Sequence, residues 1–226
     1  MNPPKLSPRL MAAAGFVRAG AVVADVGTDH AYLPIYLCKT GRIRCAVASD
    51  INEGPVERAK INIASHSLEK KISVCHTDGL SGIESYSPTD IIICGMGGEL
   101  IADIISRAEW TKNRDIRLIL QPMTHADKLR AYLCEAGYRI TDEALAREEK
   151  IYQIICAEFC AERCEYTPIE LILGKHNIAR GGDDLAAYAE YVRSVFMTRI
   201  RGKRSAGGET AKEETIVSKL DELLNK

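Results

Sequence analysis

Short apolar runs that stop at acids and glycines recur along the chain. They are Val22-Val23-Ala24-Asp25-Val26-Gly27-Thr28-Asp29-His30, Ala46-Val47-Ala48-Ser49-Asp50 and Ile91-Ile92-Ile93-Cys94-Gly95-Met96-Gly97-Gly98. Runs of this kind suit strands buried on both faces. Between them the apolar spacing becomes helical. Ser7 and Pro8 suit the N-cap and first position of a helix whose face carries Leu6, Leu10, Met11, Ala14 and Val17. Strands are expected over 21–25, 44–49, 72–75, 90–94 and 117–120. Helices are expected over 33–39, from Gly54-Pro55 onward, over 99–108 and over 127–136. Two longer β segments, 138–146 and 151–159, are joined by a few polar residues as a hairpin.

This alternation predicts a parallel sheet with right-handed crossovers and helices on both faces. In such sheets ligands bind beyond the carboxyl ends of the strands. A dinucleotide dehydrogenase would continue with a second parallel half, whereas a closing hairpin is the layout of the class I methyltransferase sheet. The expectation is therefore an α/β, Rossmann-like domain over 1–163 and a small all-helical, coiled-coil-like appendage over 164–226. The appendage reads as helices over 170–178, 185–200 and 213–224, with a polar, glycine-bearing stretch at 201–209. Ile216, Leu220, Leu223 and Leu224 form an apolar stripe.

Composition narrows the classes. The 226 residues are 46% hydrophobic and 27% charged, ordinary for a globular chain. Net charge is −1, so affinity for nucleic acid must come from a local patch. No apolar run approaches the roughly 20 residues of a membrane helix. The first residues lack a signal peptide's apolar core, and the eight cysteines are scattered. A cytoplasmic protein without membrane or metal is expected, with a monomer favoured. Cys156, Cys160 and Cys164 lack the two-residue gap of zinc ribbons and read as buried thiols.

The chemistry concentrates at the strand ends. In the dinucleotide fingerprint a glycine lets backbone approach a pyrophosphate. Here Asp29 holds the second glycine position, and a carboxylate there repels phosphate and attracts a cationic cofactor. Asp50, 25 residues after Asp25, suits a ribose acceptor. Asp78 suits an acceptor for an adenine amino group, or a plain Asp-Gly turn residue. Gly95-Met96-Gly97-Gly98 reads as an open turn that a planar base could approach. The Asn/Asp-Pro-Pro-aromatic tetrad of many amino-directed adenine methyltransferases is absent.

Six strings carry a family resemblance: Leu6-Ser7-Pro8-Arg9-Leu10, Ala24-Asp25-Val26-Gly27-Thr28-Asp29-His30-Ala31-Tyr32-Leu33-Pro34, Ser49-Asp50-Ile51-Asn52-Glu53-Gly54-Pro55, Asp78-Gly79-Leu80, Gly95-Met96-Gly97-Gly98 and Leu120-Gln121-Pro122-Met123. In this order, over about residues 6–160, the chain resembles the bacterial tRNA (adenine22-N1)-methyltransferase family. The resemblance implies S-adenosyl-L-methionine as donor, S-adenosyl-L-homocysteine as product, tRNA as substrate and a C-terminal helical domain that helps hold it. Arg9, Asp25, Gly27, Thr28, Asp50, Ile51, Asp78, Gly79, Gly95, Met96 and Gly97 are then the expected cofactor positions. Asp29 and His30 are the expected catalytic pair. Arg9 and Tyr32 are candidates to steady cofactor or base, with Tyr32 reading as core packing more than stacking. The basic run Arg199, Arg201, Lys203 and Arg204 is the candidate RNA contact, with nearby Glu209, Glu213 and Glu214 able to neutralise it. A methyltransferase for a small molecule or protein, or a non-catalytic RNA-binding module, are the rival readings.

Overall fold

A computed structural model describes residues 2–225, and the chain divides into two compact units, Met1–Cys164 and Glu165–Lys226. The first unit holds strands β1 (Ala21–Val26), β2 (Ile43–Asp50), β3 (Ile72–His76), β4 (Asp90–Gly97), β5 (Arg117–Thr124), β6 (Tyr138–Arg147) and β7 (Ile151–Phe159). Its helices are α1 (Pro8–Phe16), α2 (Tyr32–Lys39), α3 (Glu53–Ser65), α4 (Gly98–Ser106) and α5 (Ala126–Glu135). The seven strands form one sheet in the order β3-β2-β1-β4-β5-β7-β6. The first five are mutually parallel, and β7 runs antiparallel between β5 and β6. The order reverses between β1 and β4, which opens a crevice at the carboxyl ends of the central strands. Every residue of β1 is buried, as helices on both faces demand.

Three differences from the sequence reading matter. The glycine run after Cys94 is not a free turn, because β4 continues through Gly97 with register shifts at Met96. Likewise β5 continues through Pro122, which cannot donate to a ladder. It sits opposite the irregular Met96 and lies beyond the last β7 pairing at Leu120–Ile155, so no regular ladder bond is lost. Ser7 occupies the N-cap of α1 but its side chain caps nothing. The Arg9 N–H instead donates to Glu148 Oε1 at 2.7 Å, so a carboxylate from the β6–β7 hairpin tip serves that helix end. On the same helix Met11 is exposed, while Ala13 and Ala14 face the core.

Charged groups are also used inside this unit. Fully buried Asp90, at the amino end of β4, accepts from the Arg18 backbone N–H and Nε, both at 2.8 Å. Between α5 and the hairpin, Arg130 donates to Glu143 at 2.7 Å and to Gln153 at 2.6 Å, with both ionic side chains wholly buried.

The second unit contains α6 (Pro168–Leu173), α7 (Lys175–Arg180), α8 (Asp183–Ser205) and α9 (Ala211–Leu224). The single helix expected over 170–178 is two, because Gly174 turns the chain at φ +91°. Thr167 and Glu170 start the first with a reciprocal capping box. The stretch expected as polar loop is helical as far as Ser205. Pairs Arg193–Asp221, Lys203–Glu213 and Arg204–Glu214 link α8 to an α9 running the opposite way. Val217 and Leu220 of α9 are buried, with Ile216, Leu223 and Leu224 half-buried beside them.

Candidate active site

The bend after β1 is built against its neighbours. The N–H groups of Gly27 and Thr28 both donate to the Ser49 carbonyl, at 2.8 and 2.9 Å. Gly27 sits at φ +78°, a conformation that favours glycine, and the end of the Met96 side chain packs into the space a Cβ would fill, 2.1 Å from that position. The Thr28 hydroxyl accepts from the Ala31 N–H at 3.2 Å as the chain turns into α2. Asp25 is buried, and burial pushes its carboxyl up to about 6, opposed by a bond from Thr28 and reinforced by the nearby Asp50.

The ends of β2 and β3 place the next acids. Asp50 Oδ1 accepts from the Asn52 N–H at 2.7 Å and from Asn52 Nδ2 at 3.1 Å, a local turn that aims the carboxylate. His76 Nε2 lies 2.8 Å from the Ile51 carbonyl and braces that turn, a part the sequence reading did not assign it. The Ile51 side chain is left exposed. After β3, Asp78 accepts from Arg107 at 2.8 Å, and that bond holds its carboxyl below the usual range. Gly79, at φ +57°, lets Ile104 pack close by.

At the end of β4 a buried glutamine organises the backbone. Gln121 Oε1 accepts from the Gly95 N–H at 3.1 Å and from Arg9 Nη1 at 3.0 Å, while its Nε2 donates to the Pro122 carbonyl. Gly95 itself stands at φ +81°. Arg9 is further held by Glu148 and lies over the Tyr152 ring. The structure thus brings Arg9 to Gly95, joining two sequence motifs 86 positions apart. Gln121 and Glu148 received no role from sequence reasoning. A lone amide following the apolar run of β5 was the visible signal for Gln121, and Glu148 had none. Gly98 leaves no room for a side chain, since a Cβ there would sit 2.3 Å from the His125 carbonyl oxygen, and at Gly97 a Cβ would be tight against the Thr124 hydroxyl at 3.3 Å.

Asp29 and His30 are adjacent, with Asp29 Oδ2 3.2 Å from His30 Nε2. Asp29 also accepts from Arg58 of α3 at 2.6 Å, and Asn62, one turn further along α3, donates to the His30 carbonyl at 3.0 Å. Neither α3 residue was marked from the sequence. Tyr32 is not core packing. It is 44% exposed and stacks on His30 with ring centroids 5.0 Å apart. In the second unit the basic run lies on helix α8. Lys203 and Arg204 are paired with Glu213 and Glu214, Arg199 lies over Phe196, and Arg201 reaches Thr198.

The crevice thus carries carboxylates at the ends of β1, β2 and β3 and tight glycines at β1 and β4. Asp29 stands where a pyrophosphate would need a bare backbone, so the donor set fits a cationic, phosphate-free nucleoside cofactor. No group of three His, Cys, Asp or Glu able to hold a metal occurs among the described residues. Sheet order and site together define a class I, Rossmann-like methyltransferase. The methyltransferase-domain family matches residues 6–155. The tRNA (adenine(22)-N(1))-methyltransferase of Bacillus subtilis (strain 168) is 39% identical over 175 residues, spanning 77% of this chain and 74% of that protein. Among solved structures, the B. subtilis m1A22 tRNA methyltransferase TrmK superposes with a TM-score of 0.83 at 30% identity, covering 98% of this chain and 96% of that one. Streptococcus pneumoniae Sp1610, solved in complex with S-adenosyl-L-methionine, superposes at 0.87 with 30% identity, covering 97% and 100%. The chain belongs to the tRNA (adenine(22)-N(1))-methyltransferase family.

Proposed function

We propose that the protein transfers a methyl group from S-adenosyl-L-methionine to N1 of adenine 22 in tRNA, leaving S-adenosyl-L-homocysteine. The observation that carries this reading is the acidic crevice between Gly27 and Gly95 in a chain 39% identical to an enzyme of that name. The donor supplies an electrophilic methyl group on a sulfonium sulfur. Asp50 accepts the ribose hydroxyls, and the exposed Ile51 lies along the adenine. Asp78 and Gly79 close the far end of that base. Asp25, Thr28 and the Gly27 bend face the amino-acid portion, where Arg9 receives the carboxylate. Gly95, Met96 and Gly97 border the path between donor and acceptor. Adenine N1 attacks with its in-plane lone pair, so no base is needed before transfer, and alignment supplies most of the rate. N1 lies on the pairing edge, so the base must be unpaired or flipped. As the methyl–sulfur bond breaks and the N1–carbon bond forms, positive charge passes to the base. Asp29 stabilises that charge, His30 orients the base, and the proton later lost from N6 passes to water. Residues 165–226 hold the tRNA, with Arg199, Arg201, Lys203 and Arg204 on phosphates. The compartment is the cytoplasm, where tRNA is modified, and the protein acts as a monomer.

Labelled S-adenosylmethionine and unmodified bulk tRNA test this directly. Label recovered as 1-methyladenosine, and lost when adenine 22 is replaced by guanine, is the expected result. Label confined to small molecules or protein, or tRNA binding without transfer, overturns it.

A further inference from the structure

Tyr32 is out of keeping with its helix. Leu33, Pro34, Ile35, Leu37 and Cys38 of α2 are buried, yet Tyr32 opens the helix 44% exposed. One face of its ring is occupied by His30 at 5.0 Å and only 13° from parallel, so the ring is held in a fixed plane. That plane is set by a chain of contacts: His30 is anchored by Asn62 through its carbonyl and by Asp29 through Nε2, and Asp29 by Arg58. Asp29 and His30 of the bend, with Arg58 and Asn62 of α3, thus orient one exposed aromatic ring.

Building on the proposed methyl transfer to adenine, we propose that the outer face of Tyr32 is the platform on which the flipped acceptor base stacks. An aromatic face exposed beside a crevice matches a planar base that has lost its neighbours in the RNA stack. The phenol ring is electron-rich, and the base gains positive charge as the N1–carbon bond forms. The same contact therefore grows stronger along the reaction, as a cation–π interaction does. The carboxylate of Asp29, bonded to His30 on the inner side of the ring, adds a negative charge that favours the same state. Arg58 and Asn62 are positioning residues that act through Asp29 and His30.

Full-length protein with Tyr32→Leu, Tyr32→Phe and Tyr32→Ala tests the assignment, with circular dichroism confirming the fold. Leucine keeps apolar bulk but removes the flat face, so kcat/KM for tRNA should fall about tenfold to a hundredfold. Phenylalanine should restore most of that loss. Affinity for S-adenosylhomocysteine, by calorimetry, should hold within about twofold across the series. A second readout is independent of turnover: tRNA carrying 2-aminopurine at position 22 should fluoresce more brightly when bound to Tyr32→Leu than to wild type, because the quenching ring is gone. A leucine variant with wild-type kcat/KM, or equal fluorescence in the two complexes, overturns the platform. An equal loss of S-adenosylhomocysteine affinity in Tyr32→Leu also overturns it, placing the ring in the cofactor site. A wild-type protein that transfers no methyl to tRNA fails the methyltransferase reading instead.

Discussion

At the scale of single residues, two buried aspartates show how position decides what an acid does. Asp90, at the amino end of β4, is matched by Arg18 and serves the fold. Asp25, at the carboxyl end of the neighbouring strand, accepts from the Thr28 hydroxyl and carries a burial penalty that raises its pKa to about 6. The sign of its pH effect follows. Below about pH 4 both folded and unfolded chains carry the neutral acid and nothing is lost. Between about pH 4 and 6 the unfolded chain releases its proton first, so stability falls as pH rises. Above pH 6 the penalty is constant, at most about 3 kcal/mol. Asp25→Asn should therefore raise the melting temperature of the ligand-free protein at pH 7.5, by an amount that shrinks as the pH approaches 4.5. It should also weaken S-adenosylmethionine binding by calorimetry. A variant no more stable at either pH would show that Asp25 carries no such penalty.

At the scale of elements, the β6–β7 hairpin does more than close the sheet. Its tip supplies Glu148 to the start of α1, and its strands bury Glu143 and Gln153 against Arg130 of α5. A charge buried with its partner removed is costly, so Arg130→Met should destabilise the protein by about 3–5 kcal/mol in denaturant unfolding. Arg130→Met combined with Glu143→Leu should recover much of that loss. A single variant within about 1 kcal/mol of wild type would mean the pair adds little.

At the scale of the whole molecule, net charge hides a local concentration of cations. The chain is close to neutral, yet α8 ends in four cations. Two of them are matched by Glu213 and Glu214 of α9, which leaves Arg199 and Arg201 as the stronger candidates for phosphate contacts. Reversing both, Arg199→Glu with Arg201→Glu, should weaken tRNA binding and reduce the slope of log K against log salt by about 2. Reversing Lys203 should do less, because its acid partner already offsets it. An unchanged slope would remove the α8 patch from the RNA interface. No helix of the described residues is long and apolar enough to cross a membrane.

The strand ends were legible because burial on both faces forces continuous apolar runs, and the residue that breaks such a run is where the chain meets solvent and ligand. Asp25, Gly27, Asp50 and Gly95 were therefore visible as a pattern, as was the closing hairpin. Glycine placement misled only where tertiary contacts intervened. The glycines after Cys94 extend a bulged strand, and Gly202 lies inside a helix held by cross-pairs to α9, whereas Gly174 splits a helix that periodicity ran through. What only the tertiary structure decided is which distant side chains meet. Arg9 joins Gly95 through Gln121, Glu148 caps α1, Arg58 and Asn62 grip Asp29 and His30, and Tyr32 stands outside the core. Local sequence determines periodicity and turn chemistry over a few residues. A partner 29 to 139 positions away is chosen by the sheet order, which no local pattern encodes.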